Sequence, residues 1–210
     1  MTQTLTQKEQ NRLNDGREYR SVVMSALDDE MVVEGYASTF NQPYLLYEDA
    51  EIRVYEQIAA SAFDQCDMSD VIMQYNHQGR VFARTRNNTL QLLADQNGLK
   101  IRADLSGTDL GKQVYEEVKG GYTDKMSMGF RVEEDERTEA RDAVSGRWIV
   151  TRTIKKVKKL YDVSAVSMPA NDMTSISARM LANGAIEAAE AERLRRDHKK
   201  QKIKLMLEVM

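Results

Sequence analysis

What this chain has little of sets the first limits on it. It carries one cysteine, Cys66, in 210 residues, which excludes an intramolecular disulfide and any cysteine-rich zinc site. Cys66 reads as a half-buried structural residue, and the chain as one built in a reducing compartment. There are two prolines, Pro43 and Pro169; both follow strand-like segments, where a residue without a backbone N–H ends pairing. No run approaches the roughly 18 apolar residues of a membrane span. The first ten residues lack the apolar core of a signal peptide, so the expectation is a soluble, cytosolic protein without a membrane partner. An excess of one charge is missing too: 30 Lys and Arg against 33 Asp and Glu leave a net charge of -3. That balance gives no global attraction to nucleic acid or to an anionic surface. Histidine is equally scarce, with only His77 and His198.

What is present is enough apolar residue for a core, 41%, under a surface made heavily polar by 30% charged residues. The length suits one domain with an appendage, or at most two small domains. Residues 1–16 are polar and aperiodic and read as a loose arm. Strand-like runs follow at 17–26 and 31–39, joined as a hairpin, and then at 51–58, 71–77, 80–85, 89–94 and 98–104, with Asn/Gly turns between them. Ser61 is placed to cap a short helix through Cys66. Thr108 caps a clearer helix over 109–119, where Leu110, Val114 and Val118 recur at i, i+4, i+8 and Gly120-Gly121 ends the pattern. Residues 133–147 read as a charged surface loop or long hairpin, and strands resume at 148–159 and 160–168. From about residue 175 the composition turns to Ala, Glu, Arg and Lys, which favours helix. The basic residues there read as a solvated tail or assembly contact, with a nucleic-acid arm as the rival. The pairs Lys155-Lys156 and Lys158-Lys159 read as protection of an exposed strand edge, with phosphate binding as the rival. The fold class expected is mainly β with flanking helices (α+β), an antiparallel sheet or barrel followed by a helical tail.

The chemistry converges on Tyr122–Val132. At a period of two, Met126, Met128, Phe130 and Val132 share one face and Ser127, Gly129 and Arg131 the other, as in a half-buried strand that presents a small hydroxyl. Ser127 lacks the first glycine of a G-x-S-x-G elbow, which argues against an α/β-hydrolase. No H-E-x-x-H, no Cys/His cluster and no G-x-x-x-x-G-K-[ST] loop occurs, so the sequence supplies neither a metal centre nor a nucleotide cradle, and no cofactor is expected. His77 is either a satisfied histidine at a sheet rim or the base that activates Ser127; His198 sits in a charged, solvated run.

Several segments in register carry a resemblance: Glu34–Pro43, Ala60–Phe63, Asn76-His77, Ala83–Thr85, Asn97–Leu99, Gly120–Tyr122, Met126–Phe130, and Leu160–Ser164 running to Pro169-Ala170. In order and spacing, over about residues 17–178, the chain resembles the prohead maturation proteases of tailed bacteriophages, serine peptidases related in fold to the herpesvirus assemblins. The resemblance implies an antiparallel β-barrel of the assemblin type at 17–178, with 1–16 as an arm and 179–210 as a charged helical tail. It implies Ser127 as nucleophile, His77 as general base and Asp162 as third member, with Asp162 standing where the family usually has the longer Glu. Ser61 replaces a usual Gly and Met128 a common Phe. The implied activity is endoproteolysis of scaffold or capsid-protein segments, and of the chain itself, inside the immature procapsid in the host cytoplasm. The major capsid protein and scaffold segments are the implied partners, with self-association and without nucleic acid. The rival reading is a non-catalytic assembly protein that keeps the protease fold. Gly129 and Arg131 are the nearest candidates for oxyanion donors.

Overall fold

The computed structural model describes residues 18–27, 30–167, 194–195 and 198–199. Ten strands and one α-helix are found among them: β1 (Glu18–Leu27), β2 (Val32–Thr39), β3 (Tyr44–Glu48), β4 (Ile52–Ile58), β5 (Ile72–Tyr75), β6 (Gln78–Arg84), β7 (Leu90–Ala94), β8 (Gly98–Asp104), α1 (Asp109–Lys119), β9 (Lys125–Arg141) and β10 (Trp148–Val166). The described residues fall into two compact units. One comprises the described parts of Met1–Pro43, Gln57–Glu136 and Thr153–Asn171; the other those of Tyr44–Glu56, Arg137–Arg152 and Asp172–Met210.

In the first unit the expected opening hairpin is present: β1 and β2 pair antiparallel, with Met24 opposite Gly35 and Leu27 opposite Val32. The hydrogen-bonded order then runs β10-β9-β1-β2-β8-β7, with β5 on β10 and β6 on β5. The expected antiparallel barrel is not formed. β6 and β7 end this succession, and no ladder joins them among the described residues. The physical reason lies in the connection between them. Thr85–Asn87 makes a 3₁₀ turn closed by Asn88 at φ 62°, and the Arg84 N–H donates to the Thr89 hydroxyl at 2.8 Å. A side chain thus takes a peptide group at the place where a closing ladder would begin. Nor is the sheet purely antiparallel, since β5 runs parallel to β10, with Asp162 opposite Ile72 and Ala165 opposite Tyr75.

The core of this unit gathers Val33, Ile58, Met73, Leu99, Ile101, Met126, Met128, Phe130, Ile154 and Leu160, all essentially without solvent exposure. α1 forms where expected. The Thr108 hydroxyl accepts from the Gly111 N–H, Asp109 complements the positive helix end, and Val114, Tyr115 and Val118 are buried. The second expected helix, from Ser61, is a run of turns instead. Its bonds are of i→i+3 type, from the Asp64 N–H to Ser61 O and from the Cys66 N–H to Phe63 O, too tight to propagate an α-helix. The strands expected at 148–159 and 160–168 are one continuous strand, β10.

The second unit has its own small core of Ile52, Val54 and Val150, with Leu46, Tyr47 and Trp148 packed on it. Glu56 is fully buried there, answered by the Arg152 guanidinium at 3.0 Å and by the Tyr44 hydroxyl. Of the two expectations for 133–147, a charged loop or a long hairpin, the hairpin is found: β9 extends to Arg141 and only Asp142–Arg147 turns. The helical tail at 179–210 and the arm at 1–16 lie outside the described residues, apart from Leu194, Arg195, His198 and Lys199, which are helical and exposed.

β2 and β8 approach closely where β8 begins. A Cβ built on Gly98 would stand 2.0 Å from the Ser38 carbonyl oxygen, a backbone atom that cannot swing away, whereas one on Gly107 meets nothing within 4 Å. Gly98→Ala is therefore expected to destabilise the fold by about 2–3 kcal/mol and Gly107→Ala to change it little. Urea denaturation midpoints of the two variants check this, and equal midpoints would contradict the close approach.

Candidate active site

Three neighbouring strands bring together the three residues singled out in the sequence. β10 is hydrogen-bonded to β9 and also to β5. Ser127 stands on β9, Asp162 on β10, and His77 in the turn that follows β5. His77 Nε2 lies 2.8 Å from Ser127 Oγ, and His77 Nδ1 lies 2.5 Å from Asp162 Oδ2. A carboxylate accepts and has no hydrogen to give. The ring hydrogen therefore sits on Nδ1, which donates to Asp162, and Nε2 is left to accept from the Ser127 hydroxyl.

The position of His77 is set by backbone conformation rather than by strand alternation. Asn76 and His77 are the two central residues of the β5–β6 hairpin, where Tyr75 pairs with Gln78, and they have φ 49° and 58°. Positive φ at both positions is what a tight type I′ connection demands, and Asn and His are among the non-glycine residues that tolerate it best. The strand-like run expected over 71–77 thus ends at Tyr75, and His77 lies outside its alternation. The turn is held against β10 by the Asn76 N–H donating to Ala165 O at 2.9 Å and by the Ser167 N–H donating to Asn76 Oδ1 at 3.2 Å. These bonds place the imidazole over Asp162, so the shorter Asp side chain reaches the ring.

Ser127 differs from its expected setting. Met126, Met128 and Phe130 are buried as expected, but Ser127 is also 0% exposed, so this part of β9 is covered on both faces. On the face that carries Ser127 the His77 ring stands against the hydroxyl, while β1 and β10 flank β9 within the sheet, with Ser127 opposite Ser21. His77 keeps 14% of its side-chain surface and Asp162 5%. A buried polar group is costly unless hydrogen-bonded, and each of these three has a partner.

One residue escaped the sequence reading. Ser164, fully buried, donates its hydroxyl to Asp162 Oδ2 at 2.6 Å, the oxygen that also accepts from His77. The signal available was the period of two on a strand, which puts residues 162 and 164 on one face. Of the suggested oxyanion donors, Gly129 is buried opposite Tyr19 in the β1–β9 ladder and Arg131 is exposed.

Rival chemistries find little material in the described residues. No group of three or more His, Cys, Asp or Glu suited to hold a metal ion occurs among them. Burial pushes the Cys66 thiol up to about 11, which keeps it from acting as a thiolate at neutral pH. Three of the four lysines of the basic run face carboxylates: Lys155 faces Glu136 at 2.9 Å, Lys156 faces Glu133 at 3.2 Å and Lys159 faces Asp67 at 2.7 Å. The Lys159 ammonium, helped by Ser69, holds the Asp67 carboxyl well below the usual carboxylate range. No described helix is long and apolar enough to cross a membrane.

Residues 20–188 match the family model described as caudovirus prohead serine protease. No curated protein and no solved structure matches the chain.

The hairpin turn yields its own test. Asn76→Ala, which places a Cβ-bearing residue of poor αL tolerance at φ 49°, is expected to cost about 1–2 kcal/mol of stability. Asn76→Gly, which adopts that φ freely, is expected to cost less. Denaturant midpoints compare the two, and equal losses would show that the positive φ carries no weight.

Proposed function

The chain belongs to the caudovirus prohead serine protease family, and on that premise we propose that it is a serine endopeptidase with Ser127 as nucleophile, His77 as general base and Asp162 as the residue that orients the base. The observation that carries this reading is the continuous chain of contacts from Ser127 Oγ through the imidazole to Asp162, assembled from positions 50 and 85 residues apart. Most buried serines satisfy a backbone carbonyl; this one meets the only described histidine of its unit, and that histidine meets a carboxylate.

The chemistry follows from the tautomer. Ser127 Oγ attacks the carbonyl carbon of a peptide bond while His77 Nε2 takes the hydroxyl proton. The imidazolium then gives that proton to the departing amine as the C–N bond breaks, leaving an ester on Ser127. Water, deprotonated by the same nitrogen, attacks the ester; the acid leaves and Oγ recovers a proton. Asp162 holds Nδ1–H throughout and stabilises the imidazolium without itself taking the proton.

Membership of the family makes the setting capsid maturation in tailed phages, with capsid protein as the general substrate. The finer reading is that the chain cleaves scaffold segments or capsid-protein extensions, and also itself, inside the immature procapsid, where confinement raises its effective concentration against them. It self-associates and takes no nucleic acid or membrane partner. The protease domain spans 17–178, and residues 179–210 contact scaffold or capsid protein.

The full burial of Ser127 favours one second reading, an assembly protein that retains the fold without cleaving. Co-production with the capsid protein, followed by mass measurement of every product, separates the two. Ser127→Ala is expected to fold and to lose cleavage by about 10⁴-fold or more; full cleavage by that variant would sink the assignment. Asp162→Asn is expected to lower the cleavage rate by roughly 10³–10⁴-fold, and an unimpaired Asn variant would remove Asp162 from the mechanism. Products absent with the unaltered chain as well would favour the assembly protein.

A further inference from the structure

We propose that Ser164 is a positioning residue for this reaction: its buried hydroxyl fixes the Asp162 carboxylate so that Oδ2 stays aligned with His77 Nδ1. The inference rests on the catalytic reading above and adds a member to it.

The geometry is specific. Asp162 Oδ2 accepts from His77 Nδ1 at 2.5 Å and from Ser164 Oγ at 2.6 Å. Asp162 is 3% exposed and Ser164 0%, so solvent supplies neither bond. A carboxylate turns about its Cβ–Cγ bond in a broad, roughly two-fold well. With His77 as its only side-chain partner, the group can rotate and carry the imidazole with it. A second donor on the same oxygen, fixed two residues along the same strand, removes that freedom. The backbone around Ser164 is itself pinned, because β10 pairs with β5 at Asp162–Ile72, Val163–Met73 and Ser164–Gln74. Serine also suits the site chemically. Its hydroxyl hydrogen swings to whichever acceptor is present, and a hydrogen bond to an ionised acceptor is about twice as strong as a neutral one.

A purely structural role would make Ser164 a small residue chosen to fit, and the two roles separate by experiment. Ser164→Cys keeps the side-chain shape with a somewhat larger atom and a weak donor, and Ser164→Ala removes the donor altogether. Each variant is made in the full chain and co-produced with the capsid protein, and the cleavage rate is followed by mass measurement. Both are expected to slow cleavage about tenfold or more, with unfolding midpoints near that of the unaltered chain. In an Asp162→Asn background, Ser164→Ala is expected to add no further loss, because its effect passes through the carboxylate. The low-field proton resonance of His77 Nδ1–H, readable without turnover, is expected to move in Ser164→Ala and Ser164→Cys. Cleavage at the unaltered rate by Ser164→Cys, an independent tenfold loss on top of Asp162→Asn, or an unmoved resonance would each overturn the proposal. A fully active Ser127→Ala would instead overturn the catalytic reading; a crippled Ser127→Ala beside an unimpaired Ser164→Ala would overturn this inference alone.

Discussion

The parallel ladder between Ile72–Tyr75 and Asp162–Ala165 is the constraint on which the arrangement of this protein turns. It joins a four-residue strand to the C-terminal end of a 19-residue one and so fixes where the β5–β6 turn can lie. Once that turn is set against β10, Asn76 reaches Ala165 and Ser167, and the imidazole has little room to go anywhere but between Asp162 and Ser127. Removing the ladder would leave every participating side chain in the sequence, with the imidazole no longer held to Asp162 and Ser127.

The polar cluster that results is placed where polar groups are expensive. Ser127 and Ser164 are fully buried and Asp162 nearly so. An unpaired buried hydroxyl or carboxylate costs about 1–3 kcal/mol or more. The chain Ser127–His77–Asp162–Ser164 gives each of these groups a partner, so the cluster is tolerated as a unit. The same logic appears in the second unit, where buried Glu56 is answered by Arg152 and Tyr44. In both places the fold keeps a carboxyl group in its interior by surrounding it with hydrogen-bond partners.

Elements with strong local determinants were legible in the sequence. The β1–β2 hairpin, β8 and α1 lie within a residue or two of where periodicity, turn residues and the Thr108 cap put them. Elements whose order comes from tertiary contacts were not. β3 has no alternation to announce it, and its strand conformation comes from pairing with β4, Tyr44 opposite Glu56. The outer part of β9 reads equally as a loop or as one arm of a long hairpin because it buries almost nothing; the neighbouring β10 strand and the lysine–glutamate pairs hold it extended. Alternation located Met126, Met128 and Phe130 correctly, yet it cannot say that the opposite face is also covered, which is why the burial of Ser127 came only with the structure. Resemblance to a family suggested Ser127, His77 and Asp162, while their approach depends on positive φ at Asn76 and His77, a property that alternation does not encode.

β10 is also the last of the strands in the main sheet. A ribosome delivers the β5–β6 turn first, the β9 serine 50 residues after the histidine, and the β10 carboxylate later still, 85 residues after it. Until β10 emerges, β5 lacks the strand it pairs with in parallel, and the histidine has neither its carboxylate nor the tether at Ala165. Pairing of parallel strands across such a distance is slow compared with closing a local hairpin. During synthesis, therefore, the serine and the imidazole lack the strand that brings them together until β10 emerges. The topology thus ties the contact between them to the strand that is synthesised last among those described, so the polar cluster is completed only when almost all of the sheet exists.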